Sequence, residues 1–148
     1  MSDFTVKRLQ ACDVSSVIYL GVSHAEFRCV PEADFWSPLE LDKWLRSKRD
    51  VCAGAFTPTD EMIGYCLTHL HGEVNKVHVE NIFVNPGYRR HGTGRALIEF
   101  IKREYLTHRP CDTTYRFVAL AQIENQEATA FFVRVGFQLG VRTVWLQG

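Results

Sequence analysis

The sequence predicts an α/β domain on a mixed central sheet, antiparallel in its N-terminal half and flanked by helices. Short β-prone runs alternate with capped amphipathic runs in the order β-α-α-β-β-β-α-β-α-β. "VCAGAF" and "EMIGYCLTHLH" are separated only by "TPTD", too short for a crossover, so they read as a hairpin. The chain has 148 residues, 46% hydrophobic and 23% charged, which suits one domain, residues 1–148, with a sizeable core of its own.

In order, "FTVKRLQ" is a first strand. "DVSSVIYLGVSHAEF" is a helix capped by Asp13, with Val14, Val17, Ile18 and Val22 on its apolar side. "RCVPEADFW" has no strong period and reads as a loop. "SPLELDKWLRSK" starts on a capping box of Ser37 and Glu40 with Pro38 at the first helical position, and Leu41, Trp44 and Leu45 form its apolar face. After the hairpin, "KVHVENIFV" is a strand and "NPGYRRHGTG" a loop. A helix begins near Thr93 with Leu97, Ile98, Ile101 and Tyr105 as its buried stripe. "YRFVALAQI" is a further strand. Asn125 caps the helix "QEATAFFVRV", Gly136 sits just past its end, and "FQLGVRTVWLQ" closes the chain as a strand.

Composition narrows the function classes. Lys plus Arg number 17 and Asp plus Glu number 17, so no bulk field favours nucleic acid or an anionic membrane. Cys12, Cys29, Cys52, Cys66 and Cys111 are odd in number and contain no CxxC pair. That argues against a disulfide framework or a zinc knuckle and fits a reducing, cytoplasmic compartment. "MSDFTVKRLQ" has no apolar signal core, and no apolar run is long enough to span a bilayer. The expectation is a soluble protein without a nucleic-acid or membrane partner. A homodimer is open to such a chain.

The most informative stretch is "NPGYRRHGTGRALIEF", residues 85–100. A helix start offers unpaired N–H groups and about half a positive charge, which suits an anion. Gly92 and Gly94 would let the anion reach the backbone, and Arg89 and Arg90 carry forked donors suited to phosphate oxygens. A tight turn with solvated arginines is the competing reading. A P-loop is excluded because Thr93 stands where its lysine belongs, and a dinucleotide fingerprint because Leu97 takes the place of its third glycine.

"RRHGTG" matches the Q/R-x-x-G-x-G/A signature of the GNAT superfamily of acetyl-CoA-dependent N-acetyltransferases. The strand "ENIFV" precedes it, and "NQEATAFFVRVGF" resembles that family's N-x-x-A-x-x-F-Y-x-x-x-G-F segment. "FWSPLELDKWL" is similar to a helix of the bacterial ribosomal-protein-alanine type. The resemblance covers essentially the whole chain, residues 21–50 only in pattern. It implies a sheet splayed between the strand 77–84 and the strand 115–123, with the pantetheine arm of acetyl-CoA in the gap. The backbone of Ile82, Phe83 and Val84 would pair with that arm, and the amides of Arg90, His91, Gly92, Thr93, Gly94 and Arg95 would bind the pyrophosphate. Asn125 would lie near the thioester. The implied reaction is direct attack by an acceptor amine, of a peptide or a small molecule, on the thioester, with no metal.

The sequence departs from the family at Phe132, where a tyrosine commonly protonates the departing thiolate; Tyr65 and Tyr115 are candidate substitutes. A thiol pKa near 8.5 keeps thiolate a tolerable leaving group without one. For the base, His78 and Glu80 lie two apart on a strand and so share a face, and family members use strand positions nearby. Hydrogen-bonded strand residues are the alternative. His69 and His71 repeat the spacing and read as surface residues, not a metal site. Phe27, Phe35 and Trp36 are candidates for shaping the acceptor groove, Trp44 for the core. A non-catalytic acyl-CoA-binding module and a phosphate- or nucleotide-binding regulator are the competing functions.

Overall fold

Antiparallel pairing links β1 (Thr5–Arg8) to β2 (Ala53–Phe56), β2 to β3 (Met62–His71), and β3 to β4 (Lys76–Val84). The last described strand, β5 (Arg116–Ala119), lies parallel to β4, so the sheet order is β1-β2-β3-β4-β5. This is a computed structural model, and it describes residues 3–23, 34–110, 112–121 and 125–140. The predicted closing strand "FQLGVRTVWLQ" falls mostly outside the described residues, as do the end of the first predicted helix and most of "RCVPEADFW".

Helices α1 (Val14–Val22) and α2 (Pro38–Arg46) cover one face of the sheet, with Val17, Leu20, Leu41 and Trp44 packed on Tyr65, Leu67 and Phe83. The capping box that opens α2 is formed as predicted: Glu40 N–H donates to Ser37 Oγ, and Ser37 N–H to Glu40 Oε2. The cap assigned to Asp13 differs. A short 3-10 turn, Ala11–Asp13, precedes α1, and the Asp13 carboxylate accepts the N–H of Gln10 at 2.8 Å instead of one from the helix. Trp44 is buried, and its indole N–H donates to the Thr68 carbonyl at 2.8 Å.

Helix α3 (Thr93–Thr107) lies on the opposite face with α4 (Gln126–Arg134) beside it. Leu97, Ile98, Ile101 and Tyr105 are all buried against Ala53, Ala55, Ile63, Val77 and Val79. At about 1.5–3 kcal/mol per large side chain, this stripe contributes roughly 6–12 kcal/mol before ordering entropy is subtracted. The Tyr105 hydroxyl reaches the middle of the sheet, where it accepts the Val51 N–H at 2.9 Å and lies 2.7 Å from Thr68 Oγ1. Thr68 in turn donates to the Val51 carbonyl. Burial pushes the Tyr105 phenol up to about 12, so it stays neutral and serves as a structural hydroxyl.

Two irregularities in β4 position everything that follows. Leu67 pairs with Asn81 but Thr68 pairs with Val79, so Glu80 is an extra residue, a β-bulge. Among the described residues, β5 pairs with β4 only over Lys76–Val79. Beyond Val79 the two strands part, and the β4 edge from Glu80 to Val84 faces a gap where the resemblance implied one.

Candidate functional site

The gap is a cavity of about 700 Å³, within the range usual for small-molecule sites. One wall is Ile82, Phe83 and Val84 of β4; another is Asn125, Phe131 and Phe132 at α4; the floor is Arg90 to Arg95 at the start of α3, His91 excepted. Ile82, Phe83 and Val84 lie beyond the described β4–β5 pairing and line the cavity.

At the floor the chain turns through two left-handed residues, Arg90 at φ 65° and Gly92 at φ 81°. Alternating handedness of this kind turns successive N–H groups toward one side and makes an anion-binding concavity. Gly92 is the N-cap of α3 and has no side chain to cap it. The first backbone bond of the helix is Ala96 N–H to Gly92 O at 2.9 Å. The amides of Thr93, Gly94 and Arg95 thus open α3 with the positive end of its dipole toward the cavity.

The other loop residues divide between ligand and scaffold in a way the sequence did not indicate. The two glycines have different work. A Cβ on Gly92 would have no heavy atom within 4 Å, whereas one on Gly94 would lie 2.7 Å from the Phe131 ring, so Gly94 serves the close approach of α3 and α4. Arg89 is committed to the scaffold: its Nε donates to the Val84 carbonyl at 2.8 Å, its guanidinium lies over the Phe83 ring and 3.9 Å from Glu127. It braces the loop against β4 and also lines the cavity. Arg90 is exposed at the cavity, as are Arg95 and Arg134. His91 is exposed and does not line it. The Thr93 side chain is buried and directed toward the Tyr88 carbonyl, so only its backbone faces a ligand. The Arg95 guanidinium donates to the Arg134 carbonyl at 2.9 Å and caps the end of α4.

Asn125 caps α4 as predicted, its Oδ1 accepting the Ala128 N–H at 3.0 Å. Phe132 lines the cavity with its ring edge-on to Phe131 and Phe137. Neither proposed replacement for a tyrosine at that position reaches the cavity. Tyr65 is fully buried, its hydroxyl donating to Asn81 Oδ1, and Tyr115 packs against Tyr105.

His78 and Glu80 do meet: Nδ1 lies 3.0 Å from Oε1, with both side chains about one-quarter exposed. The His78 hydrogen bond holds the Glu80 carboxyl below the usual carboxylate range, against the opposing effect of its burial. The pair borders the cavity without lining it; the wall carries their neighbours Val79 and Asn81. His71 joins them, with one donor atom from each of His71, His78 and Glu80 inside a 4.8 Å span.

His69 stacks on Trp44 at 4.0 Å and lies 3.4 Å from Asp50. Trp36 and Phe35 extend this aromatic row edge-to-face; Phe27 lies outside the described residues. Asn81 escaped the sequence reading altogether. An asparagine inside a β-branched strand was the available signal, since strands disfavour that residue.

Comparison with known proteins adds a family. Residues 19–137 match the Acetyltransferase (GNAT) family. No curated protein sequence matches the chain. Among solved structures, aminoglycoside antibiotic 6'-N-acetyltransferase AAC(6')-Ih from Acinetobacter baumannii is 18% identical, covering 99% of this chain and 98% of its own, with a TM-score of 0.76. AAC(6')-Iy in complex with the bisubstrate analogue CoA-S-monomethyl-acetylneamine is 19% identical over 99% of both chains, at 0.78. The ribosomal-protein-S18-alanine N-acetyltransferase from Escherichia coli is 21% identical over 94% of this chain and 80% of its own, at 0.70. At such identities these likenesses establish the fold. No helix among the described residues is long and apolar enough to cross a membrane.

Proposed function

Because the chain belongs to the GNAT acetyltransferase family, we propose that it transfers an acetyl group from acetyl-CoA to a primary amine by direct attack on the thioester. The observation that carries this reading is the parting of β4 from β5, among the described residues, beside the start of α3: one cavity joins the β4 edge to the helix N-terminus. That combination suits a diphosphate with an extended amide-bearing arm. The neighbour held with a CoA–aminoglycoside bisubstrate analogue supports both halves of the assignment.

In this reading the amides of Arg90, Gly92, Thr93, Gly94 and Arg95 hold the pyrophosphate, and the backbone of Ile82, Phe83 and Val84 pairs with the pantetheine arm. Asn125 and Phe132 enclose the thioester end. A strand amide at Phe83 or Val84 steadies the oxyanion. The acceptor must be neutral to attack. His78 and Glu80 supply the base: the carboxylate, 3.0 Å away, holds the Nδ1–H tautomer and leaves Nε2 free to accept a proton. A chain-terminal amine, pKa about 8, needs less help than a lysine near 10.4. The acceptor is a protein N-terminus, a lysine or a small-molecule amine, and the protein works in the cytoplasm without a nucleic-acid partner.

One observation favours a second reading, a non-catalytic acyl-CoA-binding module. Phe132 cannot donate a proton, and neither Tyr65 nor Tyr115 lines the cavity. Loss of a general acid typically costs about 10²–10⁴-fold, which slows transfer without abolishing it. Release of free thiol from acetyl-CoA, followed across peptide N-termini, lysine peptides, polyamines and aminoglycosides, separates the two. Amine-dependent release supports transfer; tight CoA binding with no release from any amine refutes it.

A further inference from the structure

His71 ends β3, His78 and Glu80 stand two apart on β4, and the β3–β4 register brings all three to one place. His78 faces His69 across the ladder, so His71 is its diagonal neighbour, a spacing that aromatic side chains can bridge. The two imidazole centroids are 6.4 Å apart. The His78–Glu80 contact is 3.0 Å, while two ligands of one tetrahedral zinc, each about 2.1 Å from it, sit about 3.4 Å apart. One edge of a coordination shell is therefore already close to its final length. His71 is exposed at a strand end and can close the remaining ~1 Å by a rotamer adjustment.

We propose that His71, His78 and Glu80 form a binding site for a zinc-class divalent cation, and that occupancy switches off acetyl transfer. The second half rests on the assignment of His78 and Glu80 as the base; the first does not. Two neutral imidazoles and one carboxylate are a donor set suited to zinc and cobalt, whereas magnesium and calcium call for oxygen shells. The ion takes the place of the Nδ1 proton between His78 and Glu80; that proton moves to Nε2, so His78 stays a neutral imidazole. With both groups coordinated, neither can accept a proton from the acceptor amine. Three protein ligands leave a fourth position for water.

The test uses the untagged full chain, with zinc alone followed by calorimetry and cobalt alone by its visible absorption. Wild type should bind one ion per chain, with the intense visible bands of four-coordinate cobalt. His71→Ala lies away from the donor cavity. It should keep its metal-free transfer rate, lose at least about tenfold in zinc affinity, the scale on which even outer partners of ligands act, and escape zinc inhibition. Equal zinc binding by wild type and a folded His71→Ala, or a weak octahedral cobalt spectrum, would overturn the site. His71-dependent zinc binding that leaves transfer untouched would uphold the site but overturn both its regulatory role and the choice of base. If wild type transfers no acetyl group at all, the metal titrations still decide the site.

Discussion

Replacing Gly92 with aspartate separates the anion seat from every structural use of the loop. Gly92 is exposed, sits at φ 81°, and has open space where a Cβ would go. A non-glycine residue there costs about 1–2 kcal/mol of left-handed strain, least for Asp and Asn. An aspartate at the N-cap returns about 1 kcal/mol through the helix amides and dipole. The two nearly cancel, so the midpoint of thermal unfolding should move by no more than roughly 4 °C. Binding should behave differently. A carboxylate about 4–5 Å from a phosphate charge is opposed by about 3–4 kcal/mol at an effective dielectric of 20. Discounting for solvent at this exposed turn leaves about 2–3 kcal/mol, a loss of roughly 30- to 150-fold in coenzyme A affinity. Gly92→Asn has nearly the same shape and no charge, and should lose far less. Calorimetry with coenzyme A on both variants, beside thermal melts, measures the difference. If folded Gly92→Asp binds coenzyme A within about threefold of wild type, the diphosphate does not sit on this turn.

Three further outcomes follow from the fold. Gly94→Ala should push α4 away, since its methyl group would meet the Phe131 ring at 2.7 Å; overpacking of this kind costs about 1–3 kcal/mol in urea unfolding, and adding Phe131→Leu should recover most of it. Tyr105→Phe removes the acceptor of the Val51 N–H and a partner of Thr68; a buried unsatisfied N–H should cost about 1–3 kcal/mol, and an unchanged urea midpoint would contradict the network. At Asp50, burial pushes the carboxyl up, but hydrogen bonds from His69, Leu70 and Ser47 outweigh it and leave the group below its usual value. A depressed carboxyl contributes stability above its unfolded pKa, about 3.9, and loses it as pH falls through the folded value. Asp50→Asn should therefore flatten the acid limb of a stability profile below about pH 5, and an acid limb as steep as that of wild type would rule this out.

Local signals named nearly every described element. The Ser37–Glu40 box, Pro38, the Asn125 cap and the Leu97–Tyr105 stripe act within a turn or two of themselves, so short sequence windows contain them. Asp13 failed because its carboxylate had two local amides to choose from, and the 3-10 turn at Ala11–Asp13 gave it Gln10. The bulge at Glu80 was invisible for a different reason. Neither Gly nor Pro marks it, and a bulge is a property of two strands in register, which one strand's sequence does not contain.

The site shows the same division more sharply. Gly92 and Gly94 look alike in "HGTG", yet one leaves space for a ligand and the other for a ring 37 positions away. Arg89 and Arg90 are adjacent, yet one is bound to the Val84 carbonyl and the other stands exposed. A loop that must hold an anion must also be held itself, and the residues used for holding are chemically the same as those used for binding. Arg89 ties the loop to β4 by donating to the Val84 carbonyl, and Gly94 lets it approach α4 closely at Phe131. Between these two anchors the left-handed pair, Arg90 and Gly92, turns the chain into α3 at the cavity. The binding step depends on that division: without fixed flanks, the N–H groups of α3 would have to be ordered by the ligand at its own expense.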